Sequence, residues 1–308
     1  MNYCPEGIEI SNIAGGMMIP FTVTTPTGRL VLEMTPFQIQ LINLRFQRQF
    51  YIRLKEERLV QMIDDAPTYR ELEAVAEKYD LADICDFADI NLYGIKRMLK
   101  VIVKVLYRYP KLRGRFCFLG THSGYKKAVD RLLTGDVQVL KDFGLEYICS
   151  EDMARQLGGL VDSIVKPLLG SEESYIATAV TAFGFFDAIL FDQNDYDGYA
   201  YIKMVALLRE NEKCGFHPQG CASPESVVYH EVGHMLDKLC SLEMSTEFVN
   251  FIRRHSSDDI RRGISEYGAT APAEAIAEAF AEYMCNPSPR PMAKWIGEYM
   301  DRLYRSLR

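Results

Sequence analysis

His230-Glu231-Val232-Gly233-His234 is the stretch of this sequence with the most chemistry in it. On a helix, residues four apart share a face, so the two imidazoles can meet a single tetrahedral Zn²⁺. Glu231 follows the first histidine and points past the metal toward its bound water. There it can take a proton as that water attacks a carbonyl. HExxH on a helix is a strong signal for this chemistry. Ser223 and Pro224 supply an N-cap residue and a first helical position for such a helix. Gly233 has no side chain, which lets a sheet or the metal site approach closely.

A catalytic zinc needs a third protein ligand and one open position. Cys240 lies six residues after His234, where metzincin-type sites place their third ligand. Asp237, however, stands where that class needs a glycine to turn the chain, so Cys240 reads as a core residue. Asp237 shares the histidine face and can serve either as an acceptor behind a ligand or as a capping or surface acid. The stronger candidates lie downstream, on a helix with Pro272 in its first turn. Glu274 and Glu278 are four apart and therefore share a face. One can ligate zinc, and the other can accept a hydrogen bond from the free ring nitrogen of a ligand histidine, fixing its tautomer. Like charges at this spacing destabilise a helix slightly, a conflict that a nearby cation removes. The alanine-rich setting around Phe280 argues for burial of both, whereas Glu282 reads as part of a solvated face. His217, in Gly215-Phe216-His217-Pro218, can line the site or contact substrate. His122 and His255 have no partners in sequence.

Together these segments resemble the zincin metallopeptidases of the gluzincin type, as in the anthrax lethal factor catalytic domain and related domains of phages and mobile elements. The resemblance is carried by His230-Glu231-x-x-His234, by Ser265-Glu266-Tyr267-Gly268 and by Glu274-Ala275-Ile276-Ala277-Glu278-Ala279-Phe280. It implies that Glu274 is the third zinc ligand and that Glu278 stands behind the ligands. It implies that Tyr267 donates its phenol to the oxyanion, and that an edge strand binds the peptide, placed here in residues 198–207. The likeness covers about the last hundred residues. Ala275 and Ile276 depart from it, since such proteins often carry two aromatics there.

The elements that must position these residues point to an α+β fold. A zincin-like domain, with a small mixed sheet, an active-site helix and C-terminal helices, is preceded by a mostly helical region. Residues 1–35 read as an arm or hairpin, with strands flanking Pro26-Thr27-Gly28. Residues 36–110 read as helical, starting at Thr35-Pro36, with Thr68 and Glu71 as a capping box and Pro110 as the stop. Residues 111–308 form the metallopeptidase domain. In it, 116–119, 175–183, 187–191 and 198–207 are expected strands, 192–198 is a turn, and everything after 222 is helical.

The chain has 308 residues, a formal charge of −7 and an ordinary globular composition. The acidic balance argues against a nucleic-acid partner, and the basic residues from Lys96 to Arg115 read as a solvated helix face. No apolar stretch is long enough for a membrane span. The eight cysteines form no CxxC pair and read as reduced thiols. The expectation is a cytoplasmic protein without a signal peptide, with export or packaging in a phage particle left open. Its expected function is zinc-dependent hydrolysis of a peptide or protein substrate, through a zinc-bound water activated by Glu231. The alternatives are a structural or assembly protein of a phage or mobile element that keeps the fold, or a delivered effector with one protein target. The sequence leaves oligomeric state open.

Overall fold

The computed structural model describes residues 19–25, 28–34, 54–88, 90–143, 145, 150–169, 177–181, 187–192 and 198–307. The fold is α+β. Among the described residues it is mostly helical, with a small four-stranded mixed sheet.

Strands β1 (Ile19–Thr25) and β2 (Gly28–Met34) pair antiparallel as a separate hairpin, with Thr25 opposite Gly28. The expected helix start at Thr35-Pro36 lies outside the described residues. Helices α1 (Glu56–Asp65), α2 (Tyr69–Lys78) and α3 (Leu92–Arg108) follow. The Thr68 hydroxyl accepts from the Glu71 N–H, as the capping pattern predicts. The helical region also contains a strand that the sequence reading missed. Three residues, β3 (Ile84–Asp86), pair in parallel with β4 (Phe118–Thr121).

The sheet runs β3-β4-β6-β5, with β5 at Ala177–Val180 and β6 at Ala188–Phe191. Strand β6 is parallel to β4, and β5 is antiparallel to β6. Side chains alternate across the sheet, as a period of two requires. Phe118, Val180, Ala188 and Leu190 face helices α4 (His122–Leu133), α5 (Val137–Asp142) and α6 (Glu151–Leu169). Leu119, Ala177, Ile189 and Phe191 face the opposite core, formed by α1–α3 and the later helices. That core includes Leu59, Leu99, Val232, Phe280 and Met300, so residues before and after 110 share one apolar interior.

The run 198–207 is not a strand. It opens α7 (Gly198–Cys214). Its aromatic and β-branched residues suggest a strand, but the run continues into Ala206, Leu207, Leu208, Arg209 and Glu210, which favour helix. Tyr201, Met204 and Leu208 are buried at three- and four-residue spacing, whereas Ile202 and Leu207 are exposed. That is a period of 3.6. The peptide-binding edge strand expected there is therefore not in this run. Of the turn expected before α7, residues 193–197 lie outside the described set.

The remaining helices are α8 (Pro224–Cys240), α9 (Thr246–Arg254), α10 (Ser257–Gly263), α11 (Pro272–Cys285) and α12 (Pro291–Ser306). Helix α8 packs on β5, α3, α12 and, most extensively, α11. The basic residues from Lys96 to Arg115 do not form one solvated face. Arg97 pairs with Glu225 at the start of α8, Lys100 pairs with Asp64, Arg115 pairs with Asp187, and Arg113 is buried. Asp301 on α12 accepts from Tyr109 and Arg108 at the end of α3, which ties the last helix to the helical region before residue 110. No helix among the described residues is long and apolar enough to cross a membrane.

Candidate metal centre

Helix α8 begins with Pro224 at its first position, as its sequence dictates. Ser223 adopts the extended N-cap backbone, but its side chain makes no capping bond. Ser226 instead turns its hydroxyl back to the carbonyls of Cys221 and Ser223. Seven residues into α8, His230 and His234 share a face, with their rings 4.8 Å apart.

Helix α11 crosses α8 at Gly233. A Cβ there would lie 2.8 Å from Ala277 Cα, so only glycine admits this approach. The glycine serves the neighbouring helix and not the sheet. Gly233→Ala should therefore force the helices apart and cost about 1–3 kcal/mol, the usual range for overpacking. A denaturant melt of the metal-free protein reads that loss.

The close crossing brings Glu274 to the histidines. His230 Nε2 lies 3.1 Å from His234 Nε2 and 3.2 Å from Glu274 Oε2, and His234 Nε2 lies 3.5 Å from the same oxygen. Ligands about 2.0–2.1 Å from a tetrahedral zinc are separated by about 3.3 Å, which these three edges bracket. Glu274 Oε2 is buried, and no hydrogen bond of proper geometry reaches it. An oxygen and two imidazole nitrogens facing one another at this range suit a shared cation. His230, His234 and Glu274 are the group among the described residues that could hold a metal ion.

Glu278 stands behind this triangle, almost fully buried. It accepts from His230 Nδ1 at 2.8 Å and from the Ser265 hydroxyl at 2.8 Å, and His217 Nδ1 lies 3.3 Å away. Burial alone would raise its pKa. The histidine partners outweigh that and hold it at about 2. An ionised carboxylate only accepts, so Nδ1 of His230 carries its proton and Nε2 is turned to the triangle. Burial disfavours the charged ring, but the carboxylates of Glu274 and Glu278 beside it hold the His230 pKa well above the usual range. The same proximity holds the Glu274 carboxyl well below its ordinary range, against the effect of burial. Proton and metal compete for the same lone pairs.

Glu231 lies near both histidines and Glu274 and reaches toward β5. It is 6% exposed, and its Oε2 accepts from the Ala179 N–H of β5 at 2.6 Å. Burial raises its pKa, opposed by the two histidines and the Ala179 N–H. Among the described strands β5 is at the edge of the sheet, and it packs beside the HExxH segment. Compared with family models, curated proteins and solved structures, the chain finds no match. The site stands on its own geometry.

Tyr267 opens a short 3₁₀ turn, and its ring centroid lies 5.8 Å from that of His230. Its N–H donates to the Phe216 carbonyl, and Glu266 N–H donates to Gly215. The Tyr267 loop and the 215–217 loop therefore form one wall. His217 belongs to that wall through Glu278, as a partner of the carboxylate behind His230. Ser265 is a site residue to which the sequence reading gave no role. It bonds Glu278 and accepts the Gly268 N–H at 2.8 Å, which joins the Tyr267 loop to α11.

Two further acids lie outside the triangle, Asp237 in one of its two expected roles and Glu282 against expectation. Asp237 is buried but faces away from the ligands, accepting from Glu243 N–H and lying 3.3 Å from Lys238. It closes the turn after α8, the capping role of its two readings. Glu282 is fully buried and not on a solvated face. Arg290 meets its carboxylate with two guanidinium nitrogens and a backbone N–H, which compensates the burial. Cys240 is a core residue, and His255 bonds the Phe251 carbonyl within its own helix.

Proposed function

We propose that this chain is a zinc-dependent metallopeptidase with a zincin-like arrangement of sheet, α8 and α11. The observation that carries the reading is the triangle of His230, His234 and Glu274 beside the buried carboxylate of Glu231. Three protein ligands with an adjacent acid are a catalytic layout, whereas closed structural sites use four protein ligands. Zinc, when bound, supplies Lewis-acid polarisation of a carbonyl and acidifies water.

The chain's own residues do the rest. His230, His234 and Glu274 hold the ion, and Glu278 fixes the His230 tautomer from behind. Glu231 takes the proton of the attacking water and later delivers it to the leaving amine. Tyr267, by the resemblance, donates its phenol to the developing oxyanion. Strand β5 replaces residues 198–207 as the edge that receives an extended peptide. Its position beside α8 supports that choice. The substrate class is a peptide or an unfolded protein segment.

The test is peptide release from a proteome-derived peptide library. We expect products with the zinc-loaded protein, none after chelation, and recovery when zinc is returned. A fully zinc-loaded protein that cleaves nothing in the library sinks the peptidase reading.

A further inference from the structure

We infer that Cys221 and Cys285 form a site of reversible oxidation, and that their disulfide closes a ring of chain that carries all three candidate metal ligands. The inference rests on packing and does not depend on the peptidase reading. Gly220, at φ 82°, presses its bare α-carbon against α11. A Cβ there would fall 2.8 Å from Asn286 Cβ and 3.1 Å from Asn286 Cα. The segment ending in Gly220-Cys221 and the segment ending in Cys285-Asn286 are thus in van der Waals contact without intervening space. Cys221 and Cys285 belong to the same apolar cluster, and both are free thiols. The Cys285 thiol is the largest influence on Cys221, followed by burial, and together they push the Cys221 thiol far up. The backbone of Cys221 is fixed, since its N–H donates to Pro218 and its carbonyl accepts from the Ser226 hydroxyl.

Reach from solvent differs between the two. Cys221 is 2% exposed. Cys285 is half-buried and lines an open surface pocket of about 690 Å³ with Arg108, Tyr283, Pro289 and Lys294. The oxidant is a low-molecular-weight disulfide such as oxidised glutathione. Cys285 Sγ attacks one of its sulfurs, giving a mixed disulfide and releasing one glutathione thiol. In the mixed disulfide Cys285 no longer carries the thiol that raises the Cys221 pKa most; Cys221 loses its proton, and its Sγ attacks Cys285 Sγ and releases the second glutathione thiol. The two electrons and two protons lost by the cysteines end on the two released thiols. The ring closed between residues 221 and 285 contains His230, Glu231, His234, Tyr267, Glu274 and Glu278. The link ties the approach to α8 to the end of α11, the two helices that carry the ligands.

The full chain is incubated with oxidised glutathione, and thiols are then counted and peptides mapped without reduction. We expect the loss of two thiols and a single cross-linked peptide pair joining Cys221 to Cys285. We also expect a thermal midpoint raised relative to the reduced protein, because the link constrains the unfolded chain. Cys221→Ser and Cys285→Ser should each abolish the cross-link, and replacement of the exposed Cys214 should preserve it. A stable mixed disulfide on Cys285 alone overturns the inference, as does a cross-link that uses Cys214. No loss of thiols, or an unchanged midpoint in the cross-linked protein, does the same. The wild-type peptide map decides the pairing even if a serine variant folds poorly.

Discussion

A Glu231→Gln protein is expected to hold as much zinc as the parent and to release peptides about 10²–10⁴-fold more slowly, the usual contribution of a positioned general base. Glutamine keeps the size of the side chain and retains an oxygen that can accept the Ala179 N–H, now made by Glu231 Oε2 at 2.6 Å. It cannot take a proton from water. The substitution therefore separates position from protonation. Glu231 is not among the atoms that converge on the triangle, so the ligand set is untouched. Zinc content by elemental analysis and kcat/KM on a single library substrate are the two measurements. Equal zinc with a collapsed kcat/KM is the expected pair, and full activity in the variant rules out Glu231 as the base.

Glu274→Ala should cost the protein its metal. The substitution removes one corner of the triangle and leaves two histidines from the same helix. Glu278→Ala provides the comparison, since it removes only the acceptor behind His230. Loss of such an outer partner typically weakens metal affinity by about 10–100-fold. Loss of Glu274 is expected to exceed that, with zinc stripped by a chelator concentration that leaves the Glu278→Ala protein loaded. Competition with a chromophoric chelator gives both affinities. If Glu274→Ala retained zinc as tightly as Glu278→Ala, Glu274 would not be the third ligand, and the distances to His230 and His234 would need another explanation.

Much of the centre was legible from spacing. The HExxH segment, its Pro224 start and the i, i+4 glutamates each state a local rule, and local rules survive folding. The choice between Glu274 and Glu278 was not a local matter, because both lie on one face of α11. Which of the two meets the Nε2 atoms of the histidines depends on the Gly233–Ala277 crossing, and it is Glu274 that does so. The same holds for Glu282, which looked solvated until Arg290, eight residues on, folded back onto it. Strand β3 is three residues long and has no periodicity to display; only its partner β4 makes it a strand. Helix α7 failed for the opposite reason. Its first ten residues have strand-like composition, and the burial of Tyr201, Met204 and Leu208 at helical spacing becomes visible only against a neighbour. His217 was read as lining the site or contacting substrate; it lines the site, through a partner, Glu278, that lies 61 residues away in sequence.

The Glu231–Ala179 bond has a consequence for colloidal behaviour. An edge strand offers unpaired backbone groups that can recruit a strand from another copy of the chain, and proteins commonly blunt such edges with charge. In β5 the Ala179 N–H is already held by a carboxylate on the facing helix. Any strand approaching this edge, a stray copy or the proposed substrate peptide alike, must displace this intramolecular acceptor before it can pair at Ala179. One carboxyl group thus guards the sheet against self-association while standing next to the two histidines that can hold the ion.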